Sequence, residues 1–91
     1  MKITLDIGEA EIHRLDYQFN QLTGTLVIRI NQQPVLKATR WINEPAFEAH
    51  ALTVGENERH VVRIERERKP LLGHRGRVFV DNRLVRVFEG N

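Results

Sequence analysis

The chain has 91 residues, 41% hydrophobic and 29% charged, with a formal net charge of +2, a composition that fits one globular domain with one core and leaves no room for a second. It contains no cysteine, which excludes disulfides, thiolate metal sites and a cysteine nucleophile and points to a reducing, cytoplasmic setting. No stretch approaches membrane-spanning length, and the N-terminus reaches Asp6 after only three apolar residues, so we expect a soluble protein with neither a signal peptide nor a membrane partner.

Hydrophobicity alternates with period two almost throughout, the signature of strands rather than helices. Ile3, Leu5 and Ile7 share a face in a first strand that stops at Gly8. Leu15, Tyr17 and Phe19 share a face in the next, and Asn20 to Gly24 then supplies a turn with a glycine for a positive-φ position. Leu26, Ile28 and Ile30 return. Asn31-Gln32-Gln33-Pro34 reads as a tight turn with Pro34 at the start of the following strand, which runs from Val35 to about Arg40. Trp41 to Phe47 breaks the alternation, and Glu44-Pro45 argues against a helix there, so this stretch is expected to cross between halves. From Phe47 the apolar residues Ala49, Ala51, Leu52 and Val54 lead to a polar turn, Gly55 to Glu58. A second meander follows through Val62 and Ile64, Val78 and Val80, and Leu84 to Phe88, with Asp81-Asn82 as a hairpin turn because both residues tolerate left-handed geometry.

The second meander repeats the first. His13 to Phe19, a glycine-marked loop and Ile28 to Val35 recur as His60 to Arg66, a loop and Val78 to Val85, offset by 47 residues at the histidines and 50 at the later strands. Two such halves, about 9–40 and 56–88, can bury each other's apolar faces. The expected fold is therefore all-β: a single antiparallel β-sandwich over 1–91 with about eight short strands.

The order of a short strand and Gly turn, a His-led alternating strand, Gly24 before a Val/Ile-rich strand closing in an Asn or Asp turn, a basic residue plus Trp41, then Phe47, Val54-Gly55 and a second such hairpin resembles the Fas apoptotic inhibitory molecule family. The resemblance covers nearly the whole chain. It implies a compact β-sandwich without enzymatic activity that acts through protein contacts, in cell-survival signalling and in limiting protein aggregation.

Signals for chemistry are weak. There is no serine, no glycine-rich phosphate loop and no cofactor fingerprint, so neither an enzyme, a cofactor nor a small-molecule substrate is expected. His13 and His60 occupy matching positions, which raises a metal site, but both share the phase of the apolar residues after them and read better as caps on the core edge. The pairs Glu9/Glu11, Glu56/Glu58 and Glu65/Glu67 lie two residues apart, a spacing that places each pair on one strand face and suits a solvated edge or turn better than an acid/base couple.

Charge is the strongest remaining signal. Residues 59–86 hold nine basic side chains against three acids, whereas residues 1–58 hold five against eight, and eleven of the fourteen basic residues are arginine. The candidate binding residues are Arg66, Arg68, Lys69, Leu71, Leu72, His74, Arg75 and Arg77, a basic face joined to an apolar hairpin tip. Arginine suits carboxylate contacts at interfaces, so we expect a protein-interaction module whose partner is an acidic protein or a second copy of the chain, since the first half is acidic. Binding of RNA or DNA phosphates is the alternative, less favoured because only Phe79 and Phe88 could stack bases in the basic half. A third reading is that these arginines form a solvated face laced with ion pairs to Glu65 and Glu67.

Overall fold

A computed structural model describes residues 1–39, 46–70 and 73–90; of the expected crossover at Trp41 to Phe47 the part up to Pro45 lies outside the described residues, as does the Leu71-Leu72 tip, and Phe47 already belongs to a strand. Eight strands alternate with turns: β1 (Lys2–Ile7), β2 (His13–Asn20), β3 (Thr25–Ile30), β4 (Gln33–Thr39), β5 (Phe47–Val54), β6 (His60–Arg68), β7 (His74–Val80) and β8 (Arg83–Gly90). They form two antiparallel four-stranded meanders, β1-β2-β3-β4 and β5-β6-β7-β8, whose inner faces enclose a core of Ile3, Ile7, Leu15, Tyr17, Phe19, Leu26, Ile28, Val54, Val62, Ile64 and Val78. The protein is an all-β sandwich of two similar halves.

The turns explain the pairing. Asn31-Gln32 (φ 51° and 69°) and Asp81-Asn82 (φ 51° and 66°) are both left-handed at two successive residues, the geometry that matches the twist of a two-residue hairpin. In each case the first side chain locks the turn: Asn31 Oδ1 accepts the Arg14 N–H at 2.9 Å, and Asp81 Oδ1 accepts the Val61 N–H at 2.9 Å. A β-bulge follows in the same place in both sheets, at Ile28/Arg29 and at Val78/Phe79.

The repeat is wider than the stretches 9–40 and 56–88, because β1 and β5 also correspond. Gly8 and Gly55 sit at φ 106° and 104° after these strands, and a Cβ on either would come within 2.0 Å of the Glu11 carbonyl oxygen or 1.9 Å of that of Glu58. In β5, Glu48, His50, Leu52 and Val54 turn inward, while Phe47, Ala49 and Ala51 are exposed. The inward acid and imidazole have partners inside, described below.

Strands β1 and β8 flank one open side of the sandwich, where the backbone of Met1 lies against Gly90. Between them, at the end that carries the Gly8 and Asp81 turns, runs a cleft of about 440 Å³ lined among others by Leu5, Val80, Arg83 and Val85.

Candidate interaction surface

At one end of the sandwich the loops after β1 and β5 clasp each other. The Glu11 carboxylate accepts the N–H groups of Glu56 at 2.6 Å and Asn57 at 3.0 Å, and the Glu58 carboxylate accepts those of Glu9, Ala10 and Glu11 at 2.8, 2.7 and 3.2 Å. Each acid also holds the histidine two residues on. His13 Nε2 meets Glu11 at 2.8 Å, and its Nδ1 receives the Asn31 amide at 2.7 Å. His60 lies between Glu58 at 2.5 Å and Asp81 at 2.6 Å.

These contacts shift the acids strongly. Backbone donors from Asn57 and Glu56, with His13, hold Glu11 down at about 2. His60 and then three backbone N–H groups hold Glu58 at about 2. The same contacts, Glu58 first and then Asp81, raise His60 above its usual 6.5, and Asp81 is lowered in return by His60 and by the Val61 N–H. Both ring nitrogens of His60 are taken by carboxylates, so it has no lone pair to offer a substrate or an ion in this arrangement. Among the described residues no three His, Cys, Asp or Glu side chains converge as a metal-ligand set.

The sequence pattern Gly-x-x-Glu-x-His, at Gly8-Glu11-His13 and again at Gly55-Glu58-His60, was the signal for this clasp. Read strand by strand, Glu11 and Glu58 had looked like solvated turn acids. They are buttresses between the halves.

The eight candidate binding residues separate into three groups. Arg66 and His74 are not on a surface: they lie on the inward phase of β6 and β7, 3% and 4% exposed. The Arg66 guanidinium stacks 3.5 Å from the centroid of the Phe19 ring and donates to Glu48 at 2.9 Å. Glu48 in turn is 2.8 Å from His50 Nε2, and the His74 ring meets Phe19 edge-on at 5.2 Å. Their charge had grouped them with the exposed arginines, although strand alternation assigns them to the core side. Leu71 and Leu72 lie outside the described residues. Arg68, Lys69, Arg75 and Arg77 remain accessible.

The outer face of the second sheet carries a ladder of ion pairs set by strand register, in which Glu65 opposes Arg77, Glu67 opposes Arg75, and Arg75 opposes Glu89. Arg77 donates to Glu65 and to Glu67, both at 3.1 Å, which raises its already high pKa. Arg75 reaches Glu89 at 3.4 Å and Lys69 reaches the same carboxylate at 3.2 Å, and Lys69 followed by Arg75 lowers Glu89. Arg63 donates to Glu65 at 3.0 Å and covers the Phe79 ring at 4.3 Å. Exposed pairs of this kind contribute little stability, but they leave the arginines engaged with the protein's own carboxylates.

Not every cation of this sheet is paired in this way. Among the described residues no carboxylate lies within ion-pair distance of Arg83 or Arg86, both on β8, and that strand also exposes Leu84, Val85 and Val87 at 49%, 44% and 51%. The candidate binding residues read from the sequence include none on this strand. Compared with protein-family models, curated proteins and solved structures, the chain shows no significant match to any of them.

Proposed function

We propose that the domain is a non-enzymatic protein-interaction module that engages its partner through the second sheet. The observation that carries this reading is the coincidence on one edge strand of half-exposed apolar side chains, Leu84, Val85 and Val87, with the uncompensated cations Arg83 and Arg86. Clustered exposed apolar residues beside polar ones are the usual mark of a protein contact surface.

Two features favour protein over nucleic acid. Arg75 and Arg77 face carboxylates of their own sheet, which a phosphate backbone would have to displace. Phe88 packs edge-on against Tyr17 at 5.6 Å, and Phe79 lies under Arg63, so neither ring offers a free stacking platform.

Affinity capture with the tagged domain from its host's lysate, with and without nuclease, tests this. Retention of a discrete protein after nuclease treatment, resistant to moderate salt, is the expected result. Loss of all captured material on nuclease treatment, with a steep salt dependence, would replace it with phosphate-backbone binding.

A further inference from the structure

Strands β4 and β8 are equivalent last strands of equivalent meanders, yet different residues guard them against strand addition. In β4, Pro34 opposes Arg29 just after the bulge and Lys37 opposes Val27. In β8 the same register positions hold Leu84, opposite Phe79, and Val87, opposite Arg77. Proline removes a ladder donor and lysine resists pairing, two of the devices by which natural sheets block their edges. The bulge residue is valine in both strands, Val35 and Val85, half exposed in each, while β8 carries Arg83 and Arg86 where β4 has Gln33 and Leu36. The second edge thus lacks the proline and the lysine and keeps arginines, a guard that an acidic strand neutralises.

We propose that β8 is a strand-addition site for an extended acidic segment of a partner protein; this deepens the reading of the domain as a protein-interaction module and rests on it. Three features specify the occupant. First, β8 is eight residues long and, among the described residues, pairs with no strand but β7, so its other edge offers a row of backbone donors and acceptors to an added strand. Second, Arg83 and Arg86 lie three residues apart on this strand with no carboxylate in ion-pair reach among the described residues, while Glu89 at the far end is held by Lys69 and Arg75. Acidic side chains on the incoming strand supply the missing charge. Third, Arg83 and Arg86 stand on the inward phase of β8, opposite Val80 and Val78, while Leu84 and Val87 stand on the outward phase, opposite Phe79 and Arg77, so an added strand that alternates acidic and apolar residues meets both sets.

A second copy fits less well. Its own β8 carries Arg83 and Arg86 and a single acid, Glu89, which Lys69 and Arg75 already hold, so it brings no free carboxylate to these arginines.

The probe is a fluorescein-labelled peptide of alternating glutamate and valine, compared with its lysine/valine counterpart, using anisotropy and amide hydrogen exchange. The glutamate peptide is expected to bind, to protect amides of β8, and to bind at least about tenfold more tightly than the lysine peptide. The variant Leu84→Pro/Val87→Lys, which imports the β4 edge, is expected to abolish binding at an unchanged melting temperature. Val87→Lys alone, on the exposed face, is expected to weaken binding and covers the case in which the proline variant fails to fold. Binding that survives Val87→Lys, or amide protection on β6 and β7 alone, would overturn the proposal. So would a dimer in sedimentation that Val87→Lys dissolves, because the occupant would then be a second copy. If the peptide does not bind while a lysate protein is still captured, the strand-addition site fails and the interaction module stands; if nothing is captured after nuclease treatment, the module itself fails.

Discussion

In the first sheet Leu26 stands opposite Ala38, whereas in the second Gly76 stands opposite Phe88. The bulk of this cross-strand pair has moved from the third strand of the meander to the fourth, and the Phe88 ring uses the space above Gly76 to meet Tyr17 across the sandwich at 5.6 Å. A second exchange lies one strand over: Phe19 on β2 corresponds to Arg66 on β6, and the two stack on each other. The hairpin turns and clasps of the two halves are built on matching positions, while the filling between them is not. Cores tolerate exchange of side chains when volume is conserved locally, and here conservation holds for the pair rather than for each position. The frame is thus set by hydrogen bonds that need particular residues, and the interior by a sum that several residues can satisfy.

The largest test of this comparison is Arg66, the cation that replaces an aromatic. Arg66→Ala removes the stack on Phe19 and one of the partners of Glu48, whose side chain is only 9% exposed, so a loss of about 3–5 kcal/mol is expected in denaturant unfolding. Replacing both groups in Glu48→Leu/Arg66→Met is expected to recover most of that loss, because an apolar pair of similar volume needs no mutual neutralisation. A double variant as unstable as Arg66→Ala would mean that the stack rather than the charge pair dominates.

Gly76 comes next. A Cβ there would lie 2.2 Å from the Phe88 ring, so Gly76→Ala forces the ring off Tyr17 and is expected to cost about 1–3 kcal/mol. Gly76→Leu with Phe88→Ala installs the first half's pair in the second, and its melting temperature is expected to lie above that of Gly76→Leu alone. Equal melting temperatures would show that the exchange is not compensated within the pair.

Most of the frame was legible from the sequence because it is written in local patterns. Period-two alternation gave the strands, Gly8 and Gly24 their ends, and Asp81-Asn82 its hairpin, and the matched histidines revealed the two halves. What escaped was carried by relations between distant residues. Arg66 and His74 looked like surface charges because basic residues were grouped along the chain instead of by strand phase. Glu11 and Glu58 bond to loops 45 to 49 residues away, a distance at which no local rule applies, although their shared Gly-x-x-Glu-x-His spacing marks them once the halves are aligned. The candidate binding residues were drawn from the β6–β7 hairpin rather than from β8, whose signal is partly what it lacks, a proline and a lysine, and appears only against β4.

The clasp gives the smallest effect near neutrality and the most diagnostic one across pH. Glu11 and Glu58, ordinarily at 4.5, are held at about 2 in the folded protein, so the stability they contribute is fully present above about 4.5 and is lost as pH falls toward about 2. His60 acts in the other direction. Its folded value lies above 6.5, so its contribution is complete below 6.5 and fades as pH rises through the folded value. The end of the sandwich is therefore firmest between these limits, and the wild-type melting temperature is expected to decline on both sides. Glu58→Gln should flatten both limbs, because Glu58 binds three backbone N–H groups and is also the main cause of the His60 shift; Asp81 preserves part of the alkaline limb. Glu11→Gln should reduce only the acid limb, since its histidine partner is His13. Thermal unfolding of the three proteins in steps from pH 2 to pH 9 reads the difference, and an unchanged alkaline limb in Glu58→Gln would uncouple His60 from the clasp.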